Sequence, residues 1–298
     1  MRSDSTMKSV TLRSHAKINL TLDVSRLRPD GYHDIDSVVQ VIDLSDELEV
    51  WRAGEGAIEI DVATGDAPTD KSNLVCRAAA VFFERTGIRG GARFVLKKRI
   101  PAQAGLGGGS GNAAAAIAGL NRLYDCGLSR DELSALAAKV GSDAALFVVG
   151  GTVRMRGRGD IVEPLLDAPE MSIVVVKPAV GVSTSWAYGE LDKRERRASG
   201  ASDVAEDAIR GRDRRALLAS LSNDFDPVVC GLVPEIDAAK RRLLEVDAKA
   251  AMLSGSGSAV FGVFETSVAA DAAVVALSKE FADVFACRTL SRSESELV

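Results

Sequence analysis

A glycine-rich stretch, PAQAGLGGGSGNAAAA at residues 101–116, most constrains what this chain can fold into. Five of the seven residues from Gly105 to Gly111 are glycine, and an alanine-rich helical pattern follows at once. Glycine permits positive φ and lets a ligand approach the backbone closely. A helix that starts near Asn112 would direct unpaired N–H groups and the positive end of its dipole at an anion. The stretch therefore predicts a phosphate-binding loop.

A run of glycines can also be a flexible linker, but the flanking residues favour a folded unit. Phe94–Lys98 alternates like a strand, and Pro101 stiffens the chain just before the glycines. Residues 112–124 carry apolar residues at helical spacing. The stretch has neither the GK[ST] ending of a P-loop nor a GxGxxG pattern. Both of those nucleotide fingerprints are therefore excluded.

Composition narrows the classes of function. The 298-residue chain is 46% hydrophobic and has a net charge of −5, which gives no general attraction to nucleic acid or to an anionic membrane. No apolar run approaches the roughly 20 residues that span a bilayer. The four cysteines show no CxxC spacing, so we expect free thiols rather than a zinc site or disulfides. These features predict a cytoplasmic protein.

The first half of the sequence predicts mainly strands. One begins at Val10 and carries Lys17, and others cover residues 38–44 and 48–62, the last broken into a hairpin by Gly54 and Gly56. The residues RPDG at 28–31 predict a turn that delivers the following tyrosine and histidine. A further strand at 93–98 leads to the glycine loop.

Helical periodicity and capping residues predict the helices. One covers residues 73–86 and ends at Gly87, and another has Ser129 as N-cap, a capping box with Glu132, and an end near Gly141. Further helices are predicted at 112–124, 235–244 and 267–281, and strands at 173–176 and on both sides of the Gly/Ser turn within 250–264. The charged segment 192–215 predicts solvated helix or loop. A boundary between residues 160 and 175 would give two α+β halves.

Four features carry candidate chemistry, and each has a plainer alternative. Ser254–Ser258 predicts either a simple hairpin turn or a second glycine loop that closes over the opposite side of a phosphate or nucleotide from the first. Lys17 is either a solvated strand lysine or a functional group. Asp143, before the apolar run 144–149, is either a helix cap or a functional carboxylate. His33 beside its turn is either a surface residue or a ligand contact.

In order, and over nearly the whole chain, these segments resemble the GHMP family of small-molecule kinases. Six segments in register carry the resemblance: AKINLTLDVSRLRPDGYHDIDSVVQVIDLSDEL, PAQAGLGGGSGNAAA, GSDAALFVVGGT, KPAVGVSTSWAY, LSNDFDPVV and AMLSGSGSAVFG. The resemblance implies an α+β, two-domain fold. A ribosomal-protein-like α/β domain at 9–165 would bind ATP, a ferredoxin-like α+β domain would cover 166–298, and residues 1–8 would form a disordered tail.

The activity implied by the resemblance is phosphorylation of the 2-hydroxyl of 4-diphosphocytidyl-2-C-methyl-D-erythritol (CDP-ME), in the non-mevalonate isoprenoid pathway, with ATP as donor. Lys17 and Asp143 match the family's catalytic pair, in which the aspartate takes or orients the hydroxyl proton and the lysine keeps it ionised. Mg²⁺ would be held mainly by ATP phosphates and water, with no protein ligand. The partner is a small molecule, without nucleic acid or membrane, and the chain would be a monomer or a weak homodimer.

The resemblance also assigns binding residues. The ATP-binding residues that it implies are Asn73, Lys98, Pro101, Gly105, Leu106, Gly107, Gly108, Gly109, Ser110, Gly111 and Asn112. The substrate-binding residues that it implies are Asn19, Tyr32, His33, Thr184, Tyr188, Gly255, Ser256 and Gly257. Many relatives carry a second serine where this chain has Gly111, which is the main departure from the family's pattern.

Two other functions stay open at this point. The same fold could act on homoserine, a sugar or mevalonate, because function lies in the site and not in the fold. The stretch RPDGYH, with its aromatic ring and imidazole, favours a cytidine-bearing substrate. Alternatively, the chain could bind ATP and a metabolite as a catalytically silent sensor. The presence of both Lys17 and Asp143 favours an enzyme.

Overall fold

A computed structural model describes residues 9–194 and 199–297, which form two β-sheets covered by helices. The predicted tail at residues 1–8 lies outside the described residues. The strands are β1 (Ser9–Asn19), β2 (Thr21–Leu27), β3 (His33–Ala53), β4 (Ile58–Thr64), β5 (Gly91–Lys97), β6 (Thr152–Gly157), β7 (Ile161–Pro164), β8 (Ser172–Lys177), β9 (Ser222–Asn223), β10 (Ala250–Leu253), β11 (Val260–Phe264) and β12 (Asp283–Arg288).

The capping residues predicted for two helices, at Gly87 and at Ser129, are in place. The helices are α1 (Leu74–Thr86), α2 (Gly108–Leu123), α3 (Arg130–Val140), α4 (Ala144–Val149), α5 (Thr184–Leu191), α6 (Ala201–Arg210), α7 (Arg214–Ala219), α8 (Asp226–Leu232), α9 (Pro234–Glu245), α10 (Ser267–Leu277) and α11 (Arg292–Ser295). Gly87 ends α1 with a φ of 66°, and Ser129 and Glu132 form the predicted capping box of α3. Within the described ranges, every helix is too short or too polar to cross a membrane.

The first sheet is built around β3, a 21-residue strand that pairs with β1, β2, β5 and β6. The prediction of separate strands at 38–44 and 48–62 with a hairpin at Gly54 and Gly56 is wrong. The chain does turn there, but β5 lies between β3 and β4 and pairs with both. A Cβ on Gly91 of β5 would lie 2.1 Å from the carbonyl oxygen of Gly54, so the missing side chain lets β5 enter this position. Helices α1 to α4 pack on the sheet through one continuous core.

The second sheet has the strand order β10-β11-β8-β12 and is antiparallel throughout. Alternate residues of β8 face two different layers. Val174 and Val176 pack with the residues of α9 and α10, whereas Ile173 and Val175 share a core with Ile18 of β1 and with α6. The second sheet therefore packs directly against the strand that carries Lys17.

Residues 199–215 of the charged segment pack more closely against the rest of the protein than their composition predicts. Helix α6 buries one apolar face, including Ala205 and Ile209, against the shared core. Its acidic residues bind Arg154 of β6, which is buried and lies 2.7 Å from Asp203 and 2.8 Å from Glu206. The acidic residues that composition assigned to solvent thus anchor α6 to the first sheet.

The end of the chain returns to the first sheet. The last predicted helix, 267–281, corresponds to α10, which ends at Leu277. It is followed by β12 and α11, for which the sequence analysis made no prediction. Leu290 and Leu297 pack in the core beneath the first sheet, and Leu290 donates its N–H to the carbonyl oxygen of Val41 at 2.9 Å. The division into domains at residue 165 stays a prediction.

Candidate active site

The glycine loop runs directly into α2. Gly105 and Gly107 have φ of 73° and 71°, which is left-handed backbone that glycine adopts without strain. Because Gly107 is the N-cap, α2 begins at Gly108, four residues before the predicted start at Asn112. The second half of the glycine run is therefore the first turn of the helix, where the N–H groups have no partner within the helix.

A cavity of about 490 Å³ opens over this turn. Ten of the eleven residues predicted to bind ATP line it, and they are Asn73, Lys98, Pro101, Gly105, Leu106, Gly107, Gly108, Gly109, Ser110 and Asn112. Gly111 is the exception, because it is buried against β1 on the opposite side of the helix. Asp66, Pro68 and Gln103 also line the cavity. Gln103 lies within the glycine-rich stretch quoted above but was given no role, and no motif marked Asp66 or Pro68 in the sequence.

Asn73 and Lys98 both have partners within the protein. The side chain of Asn73 caps α1, accepting the N–H of Val75 at 2.9 Å, and donates to the carbonyl oxygen of Pro68 at 2.6 Å. Lys98 Nζ lies 2.5 Å from Asp46 Oδ2. Both side chains thus reach the cavity from fixed positions. The sequence analysis quoted Asp46 within a family segment but gave it no role.

A second cavity, of about 190 Å³, adjoins the first and shares Gly105, Gly107 and Thr184 with it. Seven of the residues predicted for catalysis or substrate binding line it: Lys17, Asn19, Asp143, Thr184, Tyr188, Gly255 and Ser256. Its apolar wall consists of Leu22, Ile35, Met155 and Phe225, which the sequence analysis missed. Strand alternation could identify these side chains as buried, but not the cavity that they face.

Lys17 and Asp143 meet at this second cavity. Lys17 is 5% exposed, so the interpretation as a solvated strand lysine is wrong. Its Nζ donates to Asn19 Oδ1 at 2.7 Å and lies 3.9 Å from Asp143 Oδ2. Burial lowers the pKa of Lys17 below its ordinary value, and the nearby Asp143 carboxylate partly opposes this shift. The lysine is thus held between an amide and a carboxylate.

Asp143 occupies the N-cap position of α4, but its side chain makes no capping hydrogen bond. Its carboxylate is 38% exposed and directed toward Lys17. The cap interpretation is therefore wrong for the side chain. A carboxylate that is fixed at a helix start, accessible from a cavity and next to an ammonium group is suited to accept a proton from a bound hydroxyl.

The Ser254–Ser258 loop connects β10 and β11 and lies against the first glycine loop. Ser254 Oγ donates to the carbonyl oxygen of Gly105 at 3.0 Å, and a Cβ on Gly105 would lie 2.0 Å from the carbonyl oxygen of Ser254. The loop thus lies beside the first loop. The predicted alternative, in which it lies across a ligand from the first loop, is wrong. A Cβ on Gly255 would lie 3.3 Å from Lys17 Nζ, so the backbone here is close to the Lys17 ammonium group.

Asn223 holds this second loop in place. Its Nδ2 donates to the carbonyl oxygens of Leu253 and Gly255, both at 2.9 Å, and its Oδ1 accepts the N–H of Phe225. The sequence analysis quoted Asn223 within LSNDFDPVV but gave it no role. Gly257 does not line either cavity; its N–H donates to the carbonyl oxygen of Ser254 at 2.9 Å.

His33 and Tyr188 form an aromatic stack at the outer end of the second cavity. Their ring centroids are 4.8 Å apart, and His33 Nε2 lies 2.9 Å from Asp192 Oδ1. Tyr188 lines the cavity and contacts Phe225 edge-on, whereas His33 reaches the cavity only through Tyr188. Tyr32 is 55% exposed and lies under Arg158, outside the cavity. The structure thus brings His33, but not Tyr32, to the cavity's edge.

The described residues contain no group of three or more His, Cys, Asp and Glu side chains that could hold a metal ion. Ser110 and Asn112, at the start of α2, carry side-chain oxygen atoms, and both residues line the larger cavity. Asn112 is buried, and its Oδ1 has no hydrogen-bond partner in the described part of the chain.

Comparison with known proteins matches both halves of the chain. Residues 73–151 match the family model for the GHMP kinases N terminal domain, and residues 205–283 match that for the GHMP kinases C terminal. The 4-diphosphocytidyl-2-C-methyl-D-erythritol kinase of Moorella thermoacetica is 40% identical over 95% of this chain and 100% of its own. The enzyme of the same name from Pelotomaculum thermopropionicum is 41% identical over 85% of this chain and 88% of its own.

A solved structure agrees with these relatives. A crystal structure of 4-(cytidine 5'-diphospho)-2C-methyl-D-erythritol kinase superposes with a TM-score of 0.79 at 30% identity, covering 94% of this chain and 99% of that one. The expected two-domain GHMP kinase fold is confirmed. The chain belongs to the 4-diphosphocytidyl-2-C-methyl-D-erythritol kinase family, within the GHMP kinases.

Proposed function

We propose that this ATP-dependent kinase phosphorylates the 2-hydroxyl of CDP-ME and releases ADP. One observation carries the proposal: the Lys17–Asp143 pair, 3.9 Å apart, lies in a cavity that adjoins the glycine-loop cavity at Gly105 and Gly107. A phosphoryl donor in one cavity and a hydroxyl acceptor in the other would meet at this pair. The relatives named 4-diphosphocytidyl-2-C-methyl-D-erythritol kinase support CDP-ME as the acceptor.

The chemistry follows from the positions of these groups. Asp143 accepts the proton of the substrate hydroxyl while the hydroxyl oxygen attacks the γ-phosphorus of ATP. The bond between this phosphorus and the oxygen that bridges it to the β-phosphate breaks, and ADP leaves. Lys17 places an ammonium group beside the Asp143 carboxylate and offsets the negative charge of the transferring group. Asn19 fixes the ammonium through its 2.7 Å hydrogen bond. Phosphoryl transfer needs this positioning and charge more than covalent help from the protein.

The ATP site that we propose uses the unpaired N–H groups at the first turn of α2 and the ten predicted residues that line the larger cavity. Gly111 has no direct contact in this proposal, because it faces β1. Asn19, Thr184, Tyr188, Gly255 and Ser256 would contact the substrate. His33 would act through its stack on Tyr188, and Tyr32 would contact the outer part of the substrate.

The residues present fit a Mg²⁺ ion held mainly by phosphates and water. The unpartnered Oδ1 of buried Asn112 and the hydroxyl of Ser110 are polar oxygens at the larger cavity, and both would face the ion or its water shell. When bound, Mg²⁺ would neutralise phosphate charge.

We further propose a cytoplasmic location, which free cysteines favour, and a monomer or weak homodimer.

The test is a substrate panel. Purified protein and Mg-ATP are incubated with CDP-ME, mevalonate, homoserine or galactose, and ADP release is measured with a coupled assay. We expect turnover with CDP-ME and a product with one added phosphoryl group by mass spectrometry. Turnover with another acceptor, and none with CDP-ME, would show that the protein is a kinase for that other acceptor. ATP binding without turnover of any acceptor would support the catalytically silent sensor.

A further inference from the structure

A buried ion pair lies behind the larger cavity, away from Lys17 and Asp143. It joins Asp46, in the middle of β3, to Lys98, the first residue after β5. The side chain of Asp46 is 0% exposed and that of Lys98 is 7% exposed, and their charged atoms are 2.5 Å apart. A buried ion pair adds little stability compared with apolar residues of similar volume. Its place beside a cavity therefore suggests a role in that cavity.

Asp46 also holds the backbone that leads into the glycine loop. Its Oδ1 accepts the N–H groups of Arg99 at 2.7 Å and Ile100 at 2.8 Å. These groups follow the end of β5, where pairing with β3 stops. The carboxylate thus satisfies two backbone donors and one ammonium group, and it fixes the direction of the chain just before Pro101.

The ammonium group of Lys98 lies on the first turn of α2. A Cβ on Gly108 would be 3.0 Å from both Lys98 Nζ and Ile100 Cγ2, so a side chain at residue 108 would crowd both groups. Lys98 and Gly108 line the same cavity. The ammonium and the free N–H groups of the helix start therefore present positive charge to the same space.

We propose that Asp46 is a positioning residue for nucleotide binding, which fixes the ammonium of Lys98 against the first turn of α2 and the backbone of residues 99–100 before the glycine loop. The inference rests on the proposed ATP site. It does not depend on the acceptor, because neither residue lines the cavity of Lys17 and Asp143. Asp46 acts through Lys98 and does not touch the nucleotide.

The experiment measures ADP affinity by calorimetry, together with KM for ATP and kcat. Asp46→Asn keeps the shape of the side chain and an oxygen acceptor but removes the charge that anchors Lys98. We expect the Kd for ADP and the KM for ATP to rise about tenfold, the usual effect of losing one charge-assisted hydrogen bond. We expect kcat at saturating ATP to stay within about twofold, because the catalytic pair is untouched.

A double-mutant cycle separates this role from a purely structural one. If Asp46 acts through Lys98, Lys98→Met alone weakens ADP binding and Asp46→Asn adds little in that background. An equal loss from Asp46→Asn in both backgrounds overturns the proposal. So does an unchanged ADP affinity in Lys98→Met, a result that can be obtained even if Asp46→Asn does not fold.

The neighbouring pair on the same two strands is the matched control. Glu47 and Lys97 are 2.7 Å apart, but their side chains are 44% and 47% exposed. Glu47→Gln should leave the Kd for ADP unchanged, and a loss equal to that of Asp46→Asn contradicts a specific role for the buried pair. A protein that binds ADP normally but does not turn over CDP-ME would overturn the proposed function and leave this inference standing.

Discussion

Ser14 Oγ lies where a side chain at position 111 would need room: a Cβ on Gly111 would be 2.7 Å from it. Ser14 belongs to β1 and Gly111 to the first turn of α2. The same Cβ would lie 2.9 Å from the carbonyl oxygen of His15. The contact allows the helix start to lie close to the strand that carries Lys17. Glycine at position 111 therefore has a packing cause in this chain.

The first prediction concerns this contact. Gly111→Ser should lower the free energy of unfolding by about 1–3 kcal/mol, because extra atoms in a close-packed contact force backbone or side chains to move. Ser14→Ala should cost little alone, since Ser14 Oγ is buried without a hydrogen-bond partner among the described residues. In the double variant, Ser14→Ala should recover part of the loss. Urea unfolding of the three variants checks this.

Gly109→Ser is the control for that series, because a Cβ there meets only Leu74 Cδ1, at 3.4 Å. Its unfolding free energy should change much less than that of Gly111→Ser. Equal stability of Gly111→Ser and the unaltered protein would show that α2 moves away from β1 without cost.

The second prediction concerns the proposed base. Asp143→Asn should lower kcat by about 10²–10⁴, the usual contribution of a positioned general base, and leave the Kd for ADP nearly unchanged. Steady-state kinetics and calorimetry measure the two quantities. Asp131→Asn, an exposed acid in the first turn of α3, is the control and should retain full activity. Near-normal kcat in Asp143→Asn would remove Asp143 from the mechanism.

The third prediction concerns pH. Burial lowers the pKa of Lys17 below 10.5, so between the lowered value and 10.5 the unfolded chain holds a proton that the folded chain has lost. Lys17 therefore makes the free energy of unfolding rise with pH across that window. Lys17→Met should abolish turnover and remove this rise, while being at least as stable as the unaltered protein at neutral pH.

Urea unfolding at several pH values, with both proteins compared at each pH, isolates the contribution of Lys17. Lys139→Met, at an exposed position on α3, should keep the rise. A parallel pH dependence of Lys17→Met and the unaltered protein would contradict the lowered pKa.

The fourth prediction separates two tyrosines. Tyr188 lines the smaller cavity between His33 and Phe225, so Tyr188→Ala should raise the KM for CDP-ME about tenfold or more through lost stacking and apolar contact. Tyr32→Ala should raise this KM less, because Tyr32 is 55% exposed and outside the cavity. The KM for ATP should stay unchanged in both. A larger effect of Tyr32→Ala would mean that the substrate extends along the turn at residues 28–31.

Local signals predicted much of the fold. The C-cap of α1 at Gly87 and the capping box of α3 depend on neighbouring residues only, and the structure has both of them. The start of α2 was placed four residues late, because glycines were interpreted as loop although Gly108 and Gly109 continue the helix. The order of strands was also beyond the sequence. β5 enters between β3 and β4 through a contact of Gly91 with Gly54, which no local pattern indicates.

The sequence by itself determined the family, the glycine loop and the residue types of the proposed catalytic pair, because these depend on motifs in a fixed order. Only the tertiary structure decided that Lys17 is buried, that the side chain of Asp143 makes no capping hydrogen bond, and that Asp46 forms an ion pair with Lys98. The physical reason is distance along the chain. Burial and ion pairing depend on strands and helices far apart in sequence, whose packing no single segment encodes.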